Sequence, residues 1–160
     1  MIEPHCCFIR EQYFIENSHF QKMLDLGNTL KQSHRTHICL QLALDSNTFY
    51  IPLRNNLGDE VKKFGRIGHS VPSRSRPNAG LDYRYTVIVN DITYIEPHIY
   101  QKLPTSQYTI IANDYETIKQ EFAIYLRGYK KAANKNRIQR EPLYRESSLI
   151  NFHKELGLAQ

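Results

Sequence analysis

The sequence predicts an α+β fold built on a twisted antiparallel sheet, and three observations predict it. Residues 37–44 and 48–53 are two runs rich in Ile, Leu, Phe and Tyr, joined by the turn formers Asp45-Ser46-Asn47, which is the pattern of a β-hairpin. Ile118, Phe122, Tyr125, Leu126 and Tyr129 recur at helical spacing late in the chain, a stripe that reads as core. The element order of strand, helix, hairpin, loop, hairpin and two helices gives antiparallel neighbours rather than βαβ crossovers.

Taken in order, Phe8 and Ile9 suit a first short strand. Ser18 can cap a helix with Phe20, Met23 and Leu24 on one face and Gly27 at its end. The hairpin follows. Residues 55–79 are sparse in apolar side chains and carry several glycines, so a long loop is expected, with one helical turn around residues 59–64. Loops of that length inside a compact domain are usually functional. Residues 85–89 alternate as a strand should, and Asn90-Asp91 can turn the chain into a partner strand at 92–95. Asn113 or Asp114 can cap the long helix. Ser147 or Ser148 begins a last helix that packs through Leu149, Phe152 and Leu156 and stops at Gly157.

A chain of 160 residues is expected to form one domain over its whole length, with a core large enough to need no staples. The 21 Lys and Arg outnumber the 16 Asp and Glu, and the resulting net charge of +5 favours polyanionic partners. No apolar run approaches the length of a membrane span, and the start Met1-Ile2-Glu3-Pro4-His5 lacks a basic region followed by an apolar one. A cytoplasmic protein without membrane contact is therefore expected. Cys6, Cys7 and Cys39 are an odd number with no CxxC pair, and read as small buried residues.

The stretch from residue 70 to 85 carries the clearest chemistry. Pro72 and Pro77 stiffen it, Gly80 is expected to allow a backbone turn, and Ser73, Arg74, Ser75, Arg76 and Asn78 are displayed between them. Forked guanidinium donors flanked by hydroxyls and an amide match a phosphate or sugar, although an ordinary solvated loop has a similar composition. His34 and Arg35, Arg54 and Asn55, and His69 lie at strand ends or in the long loop, where a sheet scaffold commonly positions a site. Tyr83 and Arg84 close the stretch. Lys130, Lys131 and Lys135 open a basic run to residue 145 that is either a solvated face or a phosphate-binding tail. No HExxH, no histidine–carboxylate ligand spacing and no Gly-rich nucleotide cradle occurs, so no metal and no cofactor is expected.

The run Arg35-Thr36-His37-Ile38-Cys39-Leu40, the hairpin end Phe49-Tyr50-Ile51-Pro52-Leu53, the turn Asn78-Ala79-Gly80-Leu81-Asp82-Tyr83 and the closing Leu149-Ile150-Asn151-Phe152-His153-Lys154-Glu155-Leu156-Gly157-Leu158 resemble the endoribonuclease toxins of type III toxin–antitoxin systems. Within that ToxN, AbiQ and TenpN group, the chain is most similar to the TenpN branch. The resemblance runs along almost the whole chain in order. It implies a strongly twisted antiparallel sheet surrounded by helices, related to the SH3-like barrels of small RNase toxins. It also implies metal-independent cleavage of cellular or phage RNA, inhibition by a small repeat-derived antitoxin RNA, and an RNA-mediated toxin–RNA oligomer. ToxN-type members follow the Pro-Leu of the hairpin with Thr-Ser and a nearby Lys. Here Arg54-Asn55 stands in those positions, and Arg35 corresponds to a basic residue before the second strand.

Cleaving RNA without a metal uses its own 2′-OH as nucleophile, so the protein must align the ribose and phosphate, neutralise the phosphorane and move protons. Arg35, Arg54, Asn55, Ser73 and Ser75 are expected to serve the reacting group, and His34, Arg74, Arg76, Asn78, Tyr83, Arg84 and the three lysines to bind RNA. Proton-transfer candidates are His34, His37, His69, Tyr83 and the serines, with His69 preferred because it shares the loop with the arginines, while His37 falls inside a strand. A noncatalytic RNA-binding module with the same basic surface is the second reading, and a protein-interaction domain the third.

Overall fold

The computed structural model describes residues 6–43, 45–61, 67–97 and 103–159. The chain runs through β1 (Cys6–Ile9), α1 (Glu11–Glu16), α2 (Thr29–Ser33), β2 (His37–Gln41), β3 (Thr48–Arg54), β4 (Gly68–Ser70), β5 (Gly80–Asp82), β6 (Val87–Ile88), β7 (Ile95–Pro97) and α3 (Thr105–Asn134). Short 3₁₀ turns occur at Tyr83–Tyr85, Ile92–Tyr94, Ile138–Arg140 and Ser148–Phe152.

The β2–β3 hairpin forms as expected, with Ile38 opposite Ile51 and Leu40 opposite Phe49. All four of these side chains are fully buried. Every residue from Phe49 to Leu53 is buried, which makes β3 the central strand. Among the described residues the seven strands form one antiparallel sheet in the order β4-β5-β3-β2-β1-β7, with β6 also on β3. The path is open at β4 and β7, so the expected SH3-like barrel is present as an open sheet and not a closed one.

α3 supplies the layer that covers the sheet. Its buried stripe includes Ile111, Tyr115, Ile118, Phe122, Leu126 and Tyr129. The Phe122 ring centroid sits 5.0 Å from Phe49 and 5.9 Å from Tyr83, and Tyr115 donates to the Cys39 carbonyl at 2.8 Å. Truncating an aromatic of this kind to alanine costs about 3–5 kcal/mol.

Four expectations need correction. Residues 18–27 are not helical, because Lys22 and Asp25 adopt left-handed backbone at φ 56° and 54°. The helices lie to either side, and Asn28 caps α2 by accepting from the Lys31 amide at 3.0 Å. The second hairpin does not form, since β6 joins β3 and β7 joins β1, with β2 between them. Asn90 is spent accepting from the Thr48 amide at 3.0 Å, and Asp91 caps a 3₁₀ turn by accepting from the Thr93 amide at 3.0 Å. α3 begins after Pro104, two turns before the expected caps. The last helix is a 3₁₀ turn capped by Ser147, although Leu149, Phe152 and Leu156 are buried as expected. Of the helical turn around residues 59–64, residues 60 and 61 are helical and 62–64 lie outside the described residues. Cys6 and Cys7 are buried and Cys39 half-buried, all as free thiols, and burial pushes the Cys6 thiol up to about 11.

Candidate functional site

β4 and β5 pair antiparallel with Ser70 opposite Gly80, so residues 71–79 form the loop of a hairpin. Gly80 allows this pairing rather than a turn, because a Cβ there would lie 2.4 Å from the His69 carbonyl oxygen and from Leu57 Cδ1. Reciprocal amide-to-carbonyl bonds of 3.1 Å between Ser73 and Arg76 close the tip. Ser73 is itself buried, its hydroxyl accepting from the Arg76 amide at 3.2 Å, while Arg74, Ser75, Arg76 and Asn78 are exposed. Gln107 of α3 donates to the Val71 carbonyl at 2.8 Å and fastens the loop base to the helix.

This anchoring carries Arg76 to a cleft of about 470 Å³, lined also by Lys31 of α2 and His34 at its C-cap, Arg35 and Thr36 before β2, Asn55 after β3, and Gln107. Four expected site residues, His34 and Arg35, Asn55, and Arg76, therefore meet from three separate segments. Among the described residues no carboxylate lines this cleft. Asp25 lies behind it, accepting from Arg35 Nη2 at 2.8 Å and pairing with Lys31 at 3.3 Å. Arg35 also donates to the Leu53 carbonyl at 3.0 Å. Among the described residues three of its five N–H donors are thus engaged, which fixes the guanidinium and leaves two for a ligand.

Other expected residues sit elsewhere. Tyr83 is fully buried and donates to Glu121 at 2.7 Å. Arg84 is only 4% exposed, because the Asp82 carboxylate next door draws it inward, at 3.0 Å from Nε and 2.8 Å from Nη2, and Glu60 takes Nη1. Neither residue is displayed for RNA in this arrangement. Arg54 donates to the same Asp82 at 2.9 Å, and the Tyr85 ring lies within 5.5 Å of both guanidinium groups.

His69 does not line the cleft. Its Nδ1 is 2.9 Å from Glu121 and its Nε2 is 2.9 Å from Asp114, both on α3. Burial pushes this imidazole down, but hydrogen bonds and charge from Asp114 and Glu121 outweigh it and raise the pKa. A histidine clamped at both nitrogens fastens β4 to α3. His37 is buried in the sheet, as expected, and burial lowers it to about 4.

Lys130 is half-buried and pairs with Asp45 at 3.5 Å, while Lys131 and Lys135 are exposed. They lie far from the cleft, since Gln107 and Lys130 are separated by roughly 35 Å along α3 at 1.5 Å per residue. Sequence reasoning missed Lys31, Thr36, Gln107 and the supporting Asp25. The spacing of Lys31 and His34, three apart on one helix face, was a usable signal. The pairing of Asp25 with Arg35 across an irregular loop left none.

No protein-family model matches the chain, and no curated protein matches it significantly. Among solved structures it is similar to AbiQ, a lactococcal anti-phage endoribonuclease belonging to the type III toxin–antitoxin system. The TM-score is 0.64 with 16% identity over 98% of each chain. It is also similar to a chain from work on bacterial type III toxin–antitoxin systems, in which a non-coding RNA pseudoknot selectively inhibits the toxin. There the TM-score is 0.58 with 11% identity, over 78% of this chain and 79% of the other. At these identities the likeness establishes a shared fold.

Proposed function

We propose that the chain is the endoribonuclease toxin of a type III toxin–antitoxin system, of the TenpN branch by its ordered motifs. It cleaves cellular or phage RNA in the cytoplasm and is restrained by a small repeat-derived RNA within a toxin–RNA oligomer. The observation that carries this reading is the cleft where His34, Arg35, Asn55 and Arg76 meet, with no carboxylate in the lining among the described residues. That lining suits a phosphodiester and repels none of its charge. The shared fold with an endoribonuclease along nearly the whole chain supports it.

The substrate 2′-OH attacks the adjacent phosphorus, the P–O5′ bond breaks, and the products are a 2′,3′-cyclic phosphate and a 5′-hydroxyl. Arg35, held rigid by Asp25 and the Leu53 carbonyl, presents its two remaining N–H donors to the non-bridging oxygens. Preorganised donors of this kind are worth about 3–4 kcal/mol each. Asn55 holds the ribose or phosphate, and Arg76 closes over the scissile group from the loop tip. Proton transfer falls to His34, the histidine that lines the cleft, rather than to His69. Arg74, Ser75 and Asn78 contact flanking nucleotides. Arg54 acts through Asp82 as a positioning residue for the end of β3. The lining offers amide, hydroxyl and cationic groups, a donor set for a phosphodiester and not for a divalent cation.

Expression of the chain without its RNA partner is expected to arrest growth, and the double substitution Arg35→Ala/Arg76→Ala to relieve it in a soluble protein. A chain that shifts RNA in a gel without cutting it would be the noncatalytic module instead.

A further inference from the structure

A second cleft, of about 760 Å³, adjoins the first, and His34 and Thr36 line both. Its chemistry is different. Glu11 and Glu96 bring carboxylates, Arg10 is already answered by Glu96 at 3.5 Å, and the half-exposed Leu30 offers an apolar wall. With Glu96 and Arg10 answering each other, the Glu11 carboxylate, which accepts from the Thr29 hydroxyl at 2.7 Å through one oxygen, leaves the lining less suited to a phosphate than the first cleft. A nucleobase suits it, because its face can lie on Leu30 while its edge donates to a carboxylate oxygen. Between the clefts, Thr36 is only 9% exposed, and among the described residues its hydroxyl has no hydrogen-bond partner. That hydroxyl lies where a ligand bridging the two clefts would meet it.

We propose that this second cleft is a nucleobase subsite of the RNA site. It holds the base next to the cleaved phosphate and selects one bearing an exocyclic amine, while the Thr36 hydroxyl binds the intervening sugar or phosphate. The proposal rests on the ribonuclease reading of the first cleft. Adenine, cytosine and guanine each offer an amino group as donor to Glu11 or Glu96. Uracil offers carbonyl oxygens there, and its one ring N–H lies between two of them, so it brings lone pairs against a carboxylate.

The test uses the full-length protein and RNA oligomers with each of the four bases on either side of one cut position. The variants are Glu11→Gln/Glu96→Gln, which retain shape but replace one acceptor oxygen of each carboxylate by an amide donor able to meet a uracil carbonyl, and Thr36→Val. Wild type is expected to disfavour uracil beside the cut by about tenfold, and the double Gln variant to reduce that bias to less than about threefold. Thr36→Val is expected to lower kcat/KM about tenfold for every sequence without changing the bias. Equal use of uracil, or a bias unchanged in the double variant, overturns the subsite. Binding of the same oligomers with 2′-deoxyribose at the cut position is measured in parallel. If wild type cuts none of the RNAs yet binds amino-bearing bases preferentially and the double variant does not, the subsite stands and the ribonuclease reading falls. Equal binding of all four bases removes the subsite whatever the cleavage result.

Discussion

Asp25 Oδ2 accepts two hydrogen bonds from Arg35, at 3.2 Å from Nε and 2.8 Å from Nη2, across the irregular segment between α1 and β2. Burial raises the Asp25 carboxyl, but hydrogen bonds and charge from Arg35 and Lys31 outweigh it and hold it below the ordinary carboxylate range. The pair therefore stays ionised and directs the unpaired face of the guanidinium into the cleft. Asp25→Asn is expected to lower kcat/KM for RNA cleavage about 10- to 100-fold, the size of effect that a small misplacement of a catalytic group produces. Circular dichroism should show the fold retained. Unchanged turnover in a folded variant would mean that Arg35 needs no orientation by Asp25.

Two histidines give opposite pH dependences of stability in separate windows. His69 has a raised pKa when folded, so its contribution is fully present below the ordinary value of about 6.5 and is lost as pH rises through the raised value. His37, lowered to about 4 by burial, contributes stability above about 6.5 that is lost as pH falls towards 4. Tm is therefore expected to decline on both sides of a maximum near pH 6.5. His69→Gln should remove the alkaline limb and leave the acid one. An alkaline limb that persists unaltered in His69→Gln would show that the clamp between Asp114 and Glu121 does not stabilise the fold.

Asp82 is fully buried and accepts from Arg54, from Arg84 Nε and Nη2, and from the Arg84 amide. Asp82→Asn removes the charge that both guanidinium groups answer. Breaking a buried pair in this way costs about 3–5 kcal/mol, which urea unfolding would measure directly. A loss below about 1 kcal/mol would mean that Glu60 and water suffice for both arginines.

What could be read from the sequence was whatever depends on local pattern. The β2–β3 hairpin follows from two apolar runs and a turn tripeptide, and the α3 stripe from spacing alone. Arg74, Ser75, Arg76 and Asn78 are displayed because prolines and polarity put them on a loop. The second hairpin failed because Asn90-Asp91 has turn chemistry without specifying which strand is met next, and β7 pairs with β1, Ile95 lying opposite Ile9 from the other half of the chain. Tyr83 and Arg84 looked displayed because their burial depends on Glu121, Asp82 and Glu60, and no periodicity reports such partners. His69 shared a loop with the arginines in sequence, yet its side chain turns to two carboxylates on α3. The cleft itself, assembled from separate segments, was visible only as separate basic clusters.

The ribonuclease reading is tested most directly by the ends of the RNA fragments that the purified protein makes in excess EDTA. Wild type is expected to leave 2′,3′-cyclic phosphate and 5′-hydroxyl termini. Arg76, whose side chain has no partner among the described residues, can be replaced by Ala with stability unchanged within about 0.5 kcal/mol. That variant is expected to cut about 10²- to 10³-fold more slowly. Intact RNA with the wild-type protein, or fragments ending in 3′-hydroxyl and 5′-phosphate that appear only when Mg²⁺ is restored, would contradict cleavage by 2′-OH attack in the basic cleft.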